Sequence, residues 1–152
     1  MVNTNQTGRR TTIQTAAMVV GAVFLLVGIL GFIPGVTSNY AALGAAGPGS
    51  EALLLGIFQV SILHNIVHLL FGVAGIVMAR SATQARNYLI GGGALYLILW
   101  LYGLVVPHDS SANFVPFNDA DDWLHLILGL GMVALGVVLA RGVTATRTTA
   151  RG

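Results

Sequence analysis

LLLGIFQVSILHNIVHLLFGVAGIVMA, residues 53–79, is an apolar run of 27 residues broken only by Gln59, Ser61, His64, Asn65 and His68. A helix crossing the ~30 Å hydrocarbon core of a bilayer needs about 20 residues, within a range of roughly 17–25. The run is therefore too long for one upright span; it either tilts or divides, and division is the favoured reading. Ser50 is placed to cap an interfacial helix over residues 51–60, with Glu51 in its first turn. The span itself then covers about 61–79 and carries His64, Asn65 and His68.

Three further apolar runs surround this one. Residues 16–33 end at Pro34-Gly35, residues 88–106 end at Pro107, and residues 123–140 are followed by Arg141. Between them lie a Gly- and Ala-rich stretch, a short polar turn at 80–87 and an acidic loop. In lipid every backbone polar group must be satisfied internally, so runs of this length and composition indicate helices. The expected fold is an all-α membrane protein, a four-transmembrane-helix bundle. Its spans are about 13–33, 61–79, 88–106 and 123–140 within a domain 13–141, with polar tails at 1–12 and 142–152. Composition agrees: 55% of the 152 residues are hydrophobic and 8% charged, where soluble domains carry about 25% charged residues. A soluble chain this short leaves too much surface exposed to bury such an excess. The absence of cysteine excludes disulfides, thiolate metal centres and cysteine nucleophiles.

Charge sets the orientation. All seven arginines (Arg9, Arg10, Arg80, Arg86, Arg141, Arg147, Arg151) fall before the first run, between the second and third, or after the fourth. All five acids (Glu51, Asp109, Asp119, Asp121, Asp122) fall in the other two loops. Four spans of alternating direction put every arginine on one side, and the positive-inside rule makes that side the cytoplasm. The chain is thus read as a multi-pass protein of the plasma membrane with both termini cytoplasmic. The net charge of +2 follows from these arginines and indicates no nucleic-acid partner. A cleaved signal peptide over residues 1–46, with Arg9-Arg10 as a twin-arginine motif, competes with this reading. Its apolar region would be longer than the usual 7–15 residues, so retention as the first helix fits better.

An internal repeat is visible. Asn65-Ile66-Val67-His68-Leu69-Leu70-Phe71-Gly72 and Asp122-Trp123-Leu124-His125-Leu126-Ile127-Leu128-Gly129 share the pattern [Asn/Asp]-x-x-His-Leu-x-x-Gly. Gly21-Ala22-x-Phe24-Leu25 aligns with Gly93-Ala94-x-Tyr96-Leu97, and Gly31 with Gly103. From that last glycine to the histidine is 37 residues in one half and 22 in the other, a difference carried by the outer loop. Two repeated helical hairpins, related by a pseudo-two-fold along the membrane normal, are expected.

The segments Leu55-Gly56-Ile57-Phe58-x-Val60, Leu63-His64-Asn65-Ile66-Val67-His68-Leu69-Leu70-x-Gly72 and Asp122-Trp123-Leu124-His125-Leu126 resemble the signature of a family of small actinobacterial four-helix membrane proteins. That family is catalogued only as a domain of unknown function. The resemblance runs over roughly residues 12–141 and implies a four-helix fold, with no activity attached.

The candidate site is the outer-side polar cluster. His64 and His68, four apart, share a helix face, and the repeat makes His68 and His125 equivalent across the bundle. Asn65 and Asp121 complete it as structural polar groups. Three roles suit these residues. Histidine and asparagine can hydrogen-bond across helices and fix their register, in a scaffold or accessory subunit or in a ligand-binding bundle. His68 and His125 are placed as axial ligands of a b-type haem for electron transfer. A divalent metal would instead draw on His64, His68, His125 and Asp122. Histidines beside acidic residues also suit a proton-linked sensor or transport component. A bundle without cofactor is the simplest of these. No nucleophile, nucleotide loop or carboxylate dyad indicates an enzyme, and His64-Asn-Ile-Val-His68 lacks the glutamate of the zinc-protease motif. The lipid bilayer is the evident partner, with a second copy or a membrane complex beside it.

Orientation is directly testable. Reporter fusions at Gly47 and Ala112 should read outside and one at Thr83 inside; an outside signal at Thr83 overturns the assignment.

Overall fold

The computed structural model describes residues 10–149, with side chains described to residue 140. Arg9 and Arg151 lie outside the described residues, and the side chains of Arg141 and Arg147 outside the described side chains. Four helices make up most of the fold: α1 (Thr12–Leu30), α2 (Ile62–Met78), α3 (Ala82–Val105) and α4 (Asp119–Thr149). Three are long and apolar enough to cross a membrane: α1, α3 and the Asp119–Ala140 part of α4. At 17 residues, α2 is shorter.

The segment between α1 and α2 corrects two expectations. Residues 51–60 form no interfacial helix, and the fold is not purely helical. Strands β1 (Thr37–Ser38), β2 (Ala52–Leu54) and β3 (Phe58–Val60) build an antiparallel sheet in that order, pairing Ala52 with Val60, Leu53 with Gln59 and Leu54 with Phe58. The segment 51–60 has too few polar residues to clothe the outer face of an interfacial helix, while Phe58 and Val60 favour strand. Its turn uses positive φ at Leu55 (55°) and Gly56 (71°). Glycine adopts this region freely, but leucine does so at a cost of about 1–2 kcal/mol.

Ser50, expected as a helix cap, instead ties the loops together. Its hydroxyl accepts from Gly44 N–H at 3.0 Å and donates to the Val60 carbonyl at 2.6 Å. The cap of α2 is Ser61, whose side chain accepts from His64 N–H at 3.1 Å. The free N–H groups of Ile62 and Leu63 donate to the carbonyls of Gly44 and Ala45 at 3.0 and 2.9 Å, so the loop completes the first turn of the helix.

The other helix ends also differ from the apolar runs. Most of the polar stretch 80–87 is not a turn but the start of α3, capped by Ser81, which accepts from Gln84 N–H at 3.2 Å. Residues assigned to the C-terminal tail continue α4 to Thr149. Hydropathy marks where solvent changes, whereas a helix persists as long as its backbone bonds do. At the arginine-bearing end, Gln14 donates to the carbonyls of Ala79 and Arg80 at 3.1 and 2.9 Å, fixing the start of α1 to the end of α2.

The helices pack chiefly as α1 on α2 and α3 on α4, and both pairs touch backbone to backbone. A Cβ on Gly21 would lie 2.9 Å from Gly72 O and Ile76 N, and one on Gly93 would lie 2.8 Å from Gly129 O and Val133 N. Across the bundle, Phe24 meets Phe71 and Tyr96 at ring-centroid distances of 4.9 and 5.3 Å, and Phe71 meets Tyr88 at 5.0 Å. The outward faces are apolar: Leu70, Ile98, Ile127 and Val138 are each more than 60% exposed. The buried residues of α2 are His64, Asn65, His68, Gly72 and Gly75. In α2, small and polar residues inward and aliphatic residues outward reverse the pattern of a soluble helix and suit lipid as the surrounding solvent.

Gly93→Ala and Gly72→Ala should each destabilise the protein by about 1–3 kcal/mol, the usual cost of overpacking. Gly91→Ala and Gly131→Ala, where an added Cβ meets nothing within 4 Å, should be neutral or gain up to ~1 kcal/mol from helix propensity. Thermal unfolding in detergent distinguishes them; equal effects at all four positions would refute the contact.

Candidate functional site

The site forms at the end of the bundle that carries the acidic residues, where the sheet sits over the helices. Asn118 caps α4: its side-chain oxygen accepts from Asp121 N–H at 3.0 Å, and Asp121 Oδ2 accepts from Asn118 N–H at 3.0 Å. This is the reciprocal capping box, with aspartate in the place of the usual glutamate. Asp119, Asp121 and Asp122 in the first turn also complement the helix dipole. The same Asp121 Oδ2 accepts from Gln59 N–H at 3.0 Å, and Asn118 Nδ2 donates to the Ile57 carbonyl at 2.8 Å. One carboxylate and one amide thus fasten the β2–β3 hairpin to the start of α4.

Beneath the hairpin lies a cavity of about 90 Å³. Leu54, Leu55 and Phe58 of the hairpin edge it from above. Val27 of α1, His64 and His68 of α2 and Tyr96 of α3 line it, with Asp121, Leu124, His125 and Leu128 of α4. All three histidines are more than nine-tenths buried. The rings of His64 and His68 lie 4.3 Å apart. A chain of ring contacts runs from His68 to Phe24 (5.4 Å), to Tyr96 (5.3 Å) and to His125 (5.2 Å), and Phe117 packs on His125 from the other side at 4.7 Å. The Nδ1 atoms of His64, His68 and His125 are buried without a hydrogen-bond partner, a condition that buried polar atoms rarely tolerate.

The structure therefore brings His64, His68, His125 and Asp121 to one cavity. It places the other expected members elsewhere. Asn65, fully buried, packs its amide against Gly31, filling the space where a Cβ would stand. Asp122 does the same against Gly103 with Oδ1 and turns Oδ2 to His108 Nε2 at 3.0 Å. His108 Nδ1 lies 3.6 Å from Asp119 Oδ1. Among the described residues, the group whose ligand atoms all approach within 4.8 Å is His108, Asp119 and Asp122. The expected set of His64, His68, His125 and Asp122 is thus split: Asp122 belongs with His108, and the three histidines do not converge on a point with it. For haem held by His68 and His125, the cavity is small, since even drug-sized ligands occupy pockets of about 300–1,000 Å³.

Sequence reasoning did not assign a role to His108, nor a hairpin contact to Asp121. His108 follows Pro107 in a loop folded around Asn113, whose amide donates to His108 O (2.9 Å) and Phe117 O (3.1 Å) and accepts from Phe117 N–H (3.1 Å). Neither the 14-residue separation of His108 and Asp122 nor the 62 residues between Gln59 and Asp121 follows any helical or strand period. The neighbouring Asn118–Asp121 cap was the available signal.

Residues 14–138 match a family model described as Domain of unknown function (DUF4383). No curated protein and no solved structure matches the chain.

Asp121→Ala removes the acceptor shared by the α4 cap and the hairpin, and should cost about 1–3 kcal/mol. Amide hydrogen exchange should quicken at Gln59 and Asn118, with helix-interior amides of α1 unchanged. Undisturbed protection at Gln59 would refute the fastening.

Proposed function

The chain belongs to the DUF4383 family of unknown function, and we propose that it is a four-span membrane protein that binds a small ligand in its outer-side histidine cavity. One observation carries this reading. Three imidazoles, each more than nine-tenths buried and none hydrogen-bonded at Nδ1, line one open space among apolar side chains. If these histidines served only to fix helix register, the packing should pair them across helices and close the gap. A small, largely apolar ligand seated against the imidazole rings accounts for the space that the packing leaves.

We further propose that the two halves are repeats about an axis along the membrane normal. Corresponding contacts support this: Gly21 on Gly72 and Gly93 on Gly129, Asn65 on Gly31 and Asp122 on Gly103, and Phe24 on His68 and Tyr96 on His125. On this reading His68 and His125 face the cavity as counterparts from opposite halves. The proposed orientation, with both termini in the cytoplasm and the cavity toward the outer side of the plasma membrane, rests on the separation of arginines from acids. No catalytic group is assigned, and the reading is of a binding or accessory subunit.

Native mass spectrometry of the protein released from the membranes in which it is made tests this. The wild type should carry a small-molecule adduct that leaves on denaturation. Leu128→Trp, which fills the cavity without altering a histidine, should remove the adduct while the protein still melts cooperatively. No adduct in the wild type, with His68→Ala and His125→Ala lowering only thermal stability, would refute ligand binding and leave a packing role.

A further inference from the structure

Resting on the ligand reading above, we infer that the occupant of the cavity is the end of a membrane-lipid hydrocarbon chain, which enters sideways from the bilayer between α1 and α4. The direction of entry follows from which lining residues are covered. His64, His68, Tyr96, Asp121 and His125 are buried, so the cavity is closed toward α2, α3 and the start of α4. Val27 of α1, Phe58 of the hairpin and Leu124 and Leu128 of α4 are partly exposed, and Leu55 is exposed. All five are apolar, and they place the mouth at the seam of α1 and α4, under the edge of the hairpin. That seam runs between the two tightly packed helix pairs, where contact is sparse.

The hairpin closes the route from water. Asp121 and Asn118 hold it to α4 across this end of the bundle. The wall also offers little to a polar solute. The unpartnered Nδ1 atoms of the three histidines are themselves buried, which leaves aliphatic side chains and ring faces as the lining. A void lined this way forfeits dispersion contacts on its open side. A chain already in hydrocarbon restores them without leaving an apolar environment.

Size and depth fit a chain end. At about 90 Å³ the space is smaller than the ~150 Å³ apolar cavity that takes one benzene. It admits a few carbons, and the rest of a longer molecule lies outside the mouth. There α4 continues as an apolar strip: Leu124, Leu128, Gly131 and Leu135 share a face. Gly131 and Leu135 are exposed, and a Cβ at Gly131 would meet nothing within 4 Å. In the proposed four-span orientation Gly131 falls at the middle of the 123–140 span, the depth at which acyl chains end, and Leu128 stands one turn above it. A terminal methyl is thus the part of a lipid that this mouth meets.

The test is photolabelling of the full chain in phosphatidylcholine nanodiscs that contain a minor share of phosphatidylcholine with a diazirine at the end of one acyl chain. A lipid with the diazirine on its headgroup is a separate arm. The expected result is labelling by the chain-end probe at Val27, Phe58, Leu124 and Leu128, read by mass spectrometry, that exceeds labelling at Ile98 and Ile127 about tenfold, or roughly 1.4 kcal/mol of preference. Ile98 and Ile127 are the more exposed to lipid, so random encounter predicts the opposite order. Leu128→Trp should abolish the excess; Val27→Trp, from the other lip of the mouth, serves if that variant fails to fold. Labelling that follows exposure alone, that is unchanged in the variants, or that comes chiefly from the headgroup probe overturns the inference. If it is overturned while the native spectrum still shows an adduct whose mass is not that of a lipid, the ligand reading stands with a different occupant. Labelling by exposure together with no adduct removes both.

Discussion

Two backbone-on-backbone contacts, Gly21 against Gly72 and Gly93 against Gly129, govern how this bundle is built. Lipid gives helices no hydrophobic reason to associate, so close van der Waals approach must supply it. Glycine permits that approach but contributes no side chain to a core. The interior between the two helix pairs is consequently filled by rings reaching across it, with Phe71 against Phe24, Tyr88 and Tyr96, and Phe24 against Tyr96. Toward the acidic end the rings give way to histidines, and there the packing leaves room.

The roof over that room solves a different problem. The long connection between α1 and α2 is largely backbone, and backbone groups near an apolar environment must be paired. Short polar side chains do part of this pairing, with Ser50 between Gly44 and Val60 and Asp121 between Gln59 and Asn118, and Asn113 does the same in the α3–α4 loop between His108 and Phe117. Asp121 alone of these three joins segments far apart in sequence, bonding Gln59 across 62 residues. The hairpin is therefore a fastened part of the site, and α4 begins where the roof ends.

Much of this was legible in the sequence for physical reasons. Runs of about 20 apolar residues can only be helices in lipid, and His64 and His68 had to share a face because they are four apart. The aligned Asn65–His68–Gly72 and Asp122–His125–Gly129 motifs placed His125 with them. What failed to show was whatever depended on backbone pairing at a distance. Residues 52–60 are apolar whether strand or helix, so hydropathy could not separate the two, and the positive φ of Leu55 is a conformation its identity argues against. The polar start of α3 was read as a turn because polarity reports solvent and not helix. His108 met Asp122 through a loop whose course is set by Asn113, a residue with no periodic signature.

On the proposed four-span reading, the brevity of α2 has a further consequence for the lipid around it. Seventeen residues rise about 26 Å, less than the ~30 Å of a typical hydrocarbon core. The hairpin precedes the start of α2, and its Leu55 and Ile57 are more than half exposed. Acyl chains along this side must shorten, or headgroups dip, to meet the mismatch at a cost of fractions of a kcal/mol per Å. On that four-span reading the bilayer would be thinnest on the flank nearest the histidine cavity, so that membrane thickness would bear on that part of the protein.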